Sequence, residues 1–298
     1  FEALGAKMTI ENGMVDAKAM SLTGCLIYLD VVSVGATINI MLAAAKADGL
    51  TIIENAAREP HIVDLANFLN SMGANIMGAG TGVIKIRGVK HLSGADYSII
   101  PDQIEAGTYM AAAVATRGDI LVTNVTPKHL ESIIAKLRET GAEITEFDES
   151  VRVKMTRRPR KCNVKTMPHP GFPTDMQPQI AAVLSIADGT SIITEGVWDS
   201  RFRYVEQLTF MGADIQVDGK MAVITGVEKL KPSPVRAVDL RAGAAMIIAG
   251  LSAEGTTEIE EIDHIDRGYE NVVEKFSALG ADIKRVKTFD NFQALKQA

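Results

Sequence analysis

Four residues of the 298-residue chain stand out by type and setting: Asp175 in PHPGFPTDMQ, Arg201 in DSRFRY, Arg241 in DLRAGA and Arg267 in HIDRGYE. Arginine presents a planar fork of donors that fits phosphate or carboxylate, and a carboxylate standing among arginines is placed to accept a proton. A further stretch, SVGAT, joins Ser33 and Val34 to Gly35, which permits close backbone approach. At a helix start, free N–H groups and the dipole suit such a stretch to a phosphate or diphosphate. Each feature has a plainer alternative: Ser33 and Asp175 as helix caps, and the arginines as partners of Asp199, Asp239 or Asp266.

The elements that position these residues repeat. LGAKMTI at Leu4 is echoed by MGANIMG at Met72, TGAEITE at Thr140, MGADIQV at Met211 and LGADIKR at Leu279, which sets Gly5, Gly73, Gly141, Gly212 and Gly280 at nearly equal intervals. Each copy follows an amphipathic segment that ends at glycine, the usual helix C-cap, and leads into alternating segments that predict a β-hairpin. Half a period away, Ala-rich helices are predicted to end at Gly49, Gly118, Gly189 and Gly255, which keep nearly the same interval. The unit is therefore strand, helix, strand, helix, strand, strand, occurring over about 31–99, 100–167, 168–236 and 237–298. FEALGAKMTI reads as the tail of a preceding unit, and the last unit stops soon after IKRVK, so the chain reads as a piece of a longer protein.

Gly35, Asp175 and Arg241 precede three of the helix-ending glycines by one constant offset of about four helical turns, which makes them equivalent positions near the start of the first helix. Arg58, Lys128, Arg201 and Arg267 follow those glycines at a short and nearly constant distance, so each unit delivers a cation before its second helix. A cation gains nothing from the dipole there, and an anionic ligand explains Arg201, Arg241 and Arg267 together.

Composition bounds the classes. Hydrophobic residues are 47% and aromatics 5%, the make-up of an α/β protein packed with small aliphatics, and the net charge of -6 disfavours a general nucleic-acid binder. No apolar run reaches the roughly 18 residues that span a bilayer, so no membrane partner is expected and the cytoplasm is the default. Cys25 and Cys162 lack metal-site spacing, as do His61, His91, His129, His169 and His264, and nothing demands a metal or cofactor.

SVGATINIMLAAA, ENAAREP, PHPGFPTDMQ, the RF of DSRFRY, DLRAGA and HIDRGYE, in that order, closely resemble the enolpyruvyl transferases of peptidoglycan synthesis, the UDP-N-acetylglucosamine 1-carboxyvinyltransferase family. The resemblance runs through almost the whole chain. It implies an α/β fold whose repeated βαβαββ units form inside-out α/β barrel domains, two of them around a deep cleft. Residues 1–99 match the latter part of the first domain and 100–298 most of the second, whose last strands the family takes from an N-terminal segment; the hinge falls near Tyr97 to Pro101.

The implied reaction transfers the enolpyruvyl group of phosphoenolpyruvate to the 3-hydroxyl of UDP-N-acetylglucosamine, releasing phosphate through a tetrahedral intermediate. Asp175 matches the aspartate that contacts and deprotonates that hydroxyl. Ser33, Val34 and Gly35 match the diphosphate segment, and Val197 matches a sugar-nucleotide contact. Arg241 and Arg267 match arginines serving phosphoenolpyruvate, and Arg201 another cationic group of the cleft. Two positions depart: Val31 stands where some members have Lys, and His61 where Glu usually follows ENAAREP. The family's proton-donating Cys or Asp loop matches neither Cys25 nor Cys162, so this chain alone is expected to hold the base, lack the acid and turn over negligibly. The incomplete first domain is expected to leave surface uncovered. A shikimate 3-phosphate transferase and a non-catalytic UDP-sugar-binding paralogue are the competing readings.

Overall fold

The computed structural model of the chain describes residues 1–286. It opens with a turn over Phe1–Gly5, in which Leu4 is fully buried, and a hairpin of β1 (Lys7–Glu11) and β2 (Met14–Lys18). The first full unit is β3 (Leu26–Tyr28), α1 (Val34–Ala44), β4 (Leu50–Glu54), α2 (Pro60–Ser71), β5 (Asn75–Met77) and β6 (Val83–Arg87). The second is α3 (Gln103–Thr116), β7 (Asp119–Thr123), α4 (Glu131–Glu139), β8 (Glu143–Glu146) and β9 (Ser150–Lys154). The third is β10 (Val164–Lys165), α5 (Gln177–Ser185), β11 (Thr190–Thr194), α6 (Val205–Phe210), β12 (Asp214–Asp218) and β13 (Met221–Thr225). The fourth is β14 (Val235–Arg236), α7 (Leu240–Ser252), β15 (Ile259–Glu260), α8 (Asp263–Asp266) and α9 (Val272–Ala278).

The predicted order of elements is present, except that among the described residues the second unit has no strand ahead of α3; three further differences concern the other elements. The first strands β3, β10 and β14 lie just ahead of the boundaries drawn from the sequence, because strands this short carry no readable alternation. Residues 281–286, within the alternating ADIKRVK, form no strand, and the rest of that hairpin lies outside the described residues. In the second unit, Arg117 with φ 58° takes the left-handed helix-ending position expected of Gly118.

The sheets repeat as faithfully as the sequence. The order β3-β4-β6-β5 has a parallel first pair and antiparallel remainder, and β10-β11-β13-β12 reproduces it. β14 and β15 form the parallel start of another such sheet, whereas β7-β9-β8 has the same order without a parallel strand beside β7. All five repeat glycines, Gly5, Gly73, Gly141, Gly212 and Gly280, have φ between 85° and 101°, the left-handed region where a side chain is strained.

Why helices line the interior follows from their composition. α5 is buried at every position, α3 along most of its length and α7 from Ala242 to Ala249. A helix apolar all round has to be enclosed, and Ala on all three, with Gly on α3 and α7, lets them pack against one another with sheets outside. A methyl on Gly107 would stand 2.9 Å from the end of Met176, and one on Gly243 would overlap Ile265. Two hydrophobic clusters result, one within residues 40–86 and the other within 104–276. Between them the chain runs without helix or strand over 91–102, where Tyr97 donates to Asp64 Oδ1 at 2.7 Å and its ring meets Phe68.

Candidate active site

Asp175 lies in a single 3₁₀ turn, Thr174–Met176, that leads into α5. Rather than capping that helix, its carboxylate bridges two arginines from other segments: Arg201 Nη2 donates to Oδ1 at 2.8 Å, and Arg241 Nε and Nη2 donate to Oδ2 at 3.2 and 3.0 Å. Arg201 comes from the 3₁₀ turn Arg201–Tyr204 before α6, and Arg241 from the first turn of α7. The arginine side chains are only 11% and 16% exposed, while that of Asp175 is 39% exposed, so the carboxylate is the part of the cluster that a ligand can reach.

The acids adjacent in sequence do other work. Asp239 caps α7 by accepting from the backbone N–H of Arg241 and Ala242, Asp199 pairs with Lys220, and Asp266 pairs with Arg285. The arginine partners expected from proximity are thus replaced by the single carboxylate of Asp175, for Arg201 and Arg241 alike. Burial works against the charge of Arg241, but Asp175, Tyr269 and Asp102 outweigh it and hold its pKa above the ordinary value.

The supporting frame is polar and buried. Arg201 Nε also donates to Thr174 Oγ1 at 3.1 Å, and its guanidinium lies over the Trp198 ring at 5.4 Å. Thr174 Oγ1 in turn donates to Glu195 Oε2 at 3.0 Å, and Glu195 is 3% exposed. Tyr269, facing Arg241, shares a 2.8 Å bond with Thr108 and receives Gln179 Nε2 at 3.4 Å. Neither Glu195 nor Thr174 announces itself in the sequence, where ITEG and FPTD read as an ordinary strand end and turn.

The other candidates are placed as follows. Ser33 caps α1, its Oγ accepting from Ala36 N at 3.2 Å, so the plainer expectation for it is met; Val34 and exposed Gly35 form the first turn, with open space where a Gly35 side chain would stand. Among the described residues, no hydrogen bond or ion pair joins this turn to Asp175. A bond from His169 N to Glu59 Oε1, at 3.3 Å, does tie the loop leading to Asp175 to the start of α2 in the first unit. Val197 is exposed beside the cluster, and its N–H donates to Glu195 Oε1 at 2.7 Å. Arg267 is exposed at the end of α8, outside the Asp175 pair network, and Arg58 and Lys128 are exposed in their own units.

Cys162 is buried and donates to Glu139 Oε2 at 3.0 Å; burial, then that bond, push its pKa up to about 12, the setting of an unreactive thiol. Among the described residues no group of three or more His, Cys, Asp or Glu could hold a metal, and no helix is long and apolar enough to cross a membrane. Two grooves of about 460 Å³ each lie elsewhere, one between α4 and β10 and the other between α6 and β14; their equivalence in the repeat marks them as seams between units.

A βαβαββ repeat with core-lining helices, carrying a carboxylate clasped by two arginines, defines an α/β repeat architecture, and comparison with known proteins gives its family. The family EPSP synthase (3-phosphoshikimate 1-carboxyvinyltransferase) matches residues 1–276. UDP-N-acetylglucosamine 1-carboxyvinyltransferase 3 of Caldanaerobacter subterraneus is 60% identical over 96% of this chain and 69% of its own length. The UDP-N-acetylglucosamine 1-carboxyvinyltransferase of Clostridium botulinum is 58% identical over the same shares. Among solved structures, the enolpyruvyl transferase NikO of Streptomyces tendae superposes with a TM-score of 0.85 at 28% identity, covering 95% of this chain and 70% of NikO. The EPSP synthase of Acinetobacter baumannii, at 19% identity and TM-score 0.74, shares the fold. The chain belongs to the enolpyruvyl transferase family, and its fold is the inside-out α/β barrel built from βαβαββ units.

Proposed function

We propose that this chain is the Asp175-bearing part of a transferase that moves the enolpyruvyl group of phosphoenolpyruvate to the 3-hydroxyl of UDP-N-acetylglucosamine, the first committed step of peptidoglycan synthesis. The observation that carries the reading is the Asp175 carboxylate bridging Arg201 and Arg241. Its single negative charge offsets one of the two arginine charges, so the cluster keeps a net positive charge that suits an anion. When an anionic substrate arrives, its phosphate or carboxylate competes for those arginines and frees Asp175 to accept the proton of the attacking hydroxyl. The oxygen then bonds to C2 of phosphoenolpyruvate while the methylene takes a proton from a group outside this set of residues. Loss of phosphate and of a methyl proton restores the double bond, with Arg201, Arg241 and Arg267 stabilising charge on phosphate and carboxylate.

The first turn of α1, with Ser33, Val34 and Gly35, is the proposed diphosphate seat, and Val197 a contact to the sugar nucleotide. Residues 1–99 are the latter part of one domain and 100–298 most of another; the two separate hydrophobic clusters support that division. A nucleotide-sugar substrate argues for the cytoplasm as the compartment of the reaction. Calorimetric titration of the protein with UDP-N-acetylglucosamine and with shikimate 3-phosphate tests the substrate. Binding of the first, undisturbed by the second, is expected; preference for shikimate 3-phosphate would overturn the assignment.

A further inference from the structure

We propose that Glu195 is a positioning residue, a buried carboxylate that holds the segment bearing Asp175 and the segment bearing Val197 and Arg201 in register with each other. The inference rests on the functional reading above. Glu195 follows β11 and accepts donors from both segments. Its Oε1 receives Thr166 Oγ1 at 2.7 Å, Val197 N at 2.7 Å and Trp198 N at 2.9 Å. Its Oε2 receives Thr174 Oγ1 at 3.0 Å. Thr166 and Thr174 bracket the loop that leads to Asp175; Val197 and Trp198 begin the loop that carries Arg201.

An acceptor-only group suits this position because each of these neighbours is a donor. A carboxylate that is 3% exposed is costly to bury, and here four hydrogen bonds compensate it without an ion pair to any cation among the described residues. The connection to the reacting groups is short. Thr174 Oγ1 donates to Glu195 and accepts from Arg201 Nε, and both Arg201 and the neighbouring Asp175 then meet through the 2.8 Å pair. Trp198, held through its N–H by Glu195, offers its ring to the same arginine. Two loops from different parts of the unit thus take their relative position from one carboxylate.

Glu195→Gln keeps the shape but gives one side of the group a donor. That amide N–H then meets Thr174 Oγ1, which already accepts from Arg201, and the Thr174 hydrogen loses its acceptor. Thr174→Val removes this link together with the oxygen that accepts from Arg201 Nε, and leaves the bonds of Glu195 Oε1 to Thr166, Val197 and Trp198 intact. In the natural full-length product, phosphate release is expected to fall by at least about tenfold in kcat for each variant, with a smaller change in the KM for UDP-N-acetylglucosamine. The two losses are expected to be less than additive, because both break one chain of bonds. Wild-type kcat in either variant, or full additivity, would overturn the proposal.

A readout independent of turnover separates this from failure of the functional reading. Trp198 is the single tryptophan of the 298 residues, so its acrylamide quenching in this chain reports on the loop that Glu195 holds. Glu195→Gln is expected to raise quenching while the melt remains cooperative; unchanged quenching contradicts the proposed role whatever the activity. Should wild-type protein release no phosphate, the substrate assignment fails and the quenching result alone decides the role of Glu195. Thr174→Val, smaller in its effect on the core, serves if Glu195→Gln does not fold.

Discussion

Asp175 and Arg241, far apart in sequence, meet through two hydrogen bonds to the same carboxylate oxygen, Oδ2. They occupy equivalent places in consecutive repeats, each near the start of a helix whose interior is packed with alanine. The repeat thus places an acid and a base of matching geometry at one point of the fold, and Arg201 completes the cluster from the turn before the second helix of the third unit.

Asp175→Asn tests the acid's chemical role. Removing the proton acceptor is expected to lower kcat by about a hundredfold or more, with binding of UDP-N-acetylglucosamine largely kept. The stability cost is expected to be about 1–3 kcal/mol: the 39% exposure of the Asp175 side chain weakens its pairs, but Asn leaves the guanidinium groups of Arg201 and Arg241, 11% and 16% exposed, without a counter-charge. Steady-state kinetics, calorimetry and a thermal melt together check the three expectations.

Much of this cluster was legible in the chain. The constant offset from the helix-ending glycines put Gly35, Asp175 and Arg241 at helix starts: α1 and α7 bear Gly35 and Arg241, and the 3₁₀ turn leading into α5 bears Asp175. The partners were not legible, because Asp199, Asp239 and Asp266 lie closer in sequence than Asp175 does, and only the packing of α5 against α7 brings the distant pair together. Glu195 was missed for a related reason. A buried carboxylate is identified by the donors converging on it, and those come from positions 166, 174, 197 and 198. Ser33 shows the reverse case, a local capping pattern that the backbone realises directly.

Arg241→Lys separates charge from geometry. Lysine keeps the cation but cannot place two donors on Oδ2, so the KM for phosphoenolpyruvate is expected to rise about tenfold, equivalent to about 1.4 kcal/mol, with the fold unchanged. A KM equal to that of the wild type contradicts the assignment of Arg241 to that substrate.

The repeat also sets a packing rule. Gly226 N–H bonds to Gly189 O at 3.1 Å, and a Cβ on Gly226 would run into the backbone carbonyl of Ala187. Gly88 repeats this against Gly49 and Ala47. Because a backbone carbonyl cannot swing aside like a side chain, Gly226→Ala is expected to destabilise by about 1–3 kcal/mol, a fall in melting temperature of several degrees. Gly94→Ala, where nothing stands within 4 Å of the new methyl, is the control and is expected to melt as wild type does.

Acid is expected to weaken the contact between the first unit and the loop of His169. Burial above all holds the pKa values of His169 and His129 below the ordinary 6.5. At His169 the charges of Glu59 and Glu131 oppose that shift and His61 adds to it; at His129 the charges of His169 and Lys128 add to it and Asp64 opposes it. The native state therefore disfavours protonation more than the unfolded chain does. Stability from the neutral imidazoles is complete above an unfolded pKa of about 6.5 and is lost as pH falls through the lower native values. Melts recorded across that window are expected to shift downward on acidification, and His129→Gln with His169→Gln is expected to flatten the dependence.

The most direct test of the whole account is release of inorganic phosphate by the natural full-length product supplied with phosphoenolpyruvate and UDP-N-acetylglucosamine, alongside Asp175→Asn. The account expects release that requires both substrates and falls by about a hundredfold or more in the variant. Release undiminished in Asp175→Asn, or none from the wild type with this pair of substrates, would contradict it.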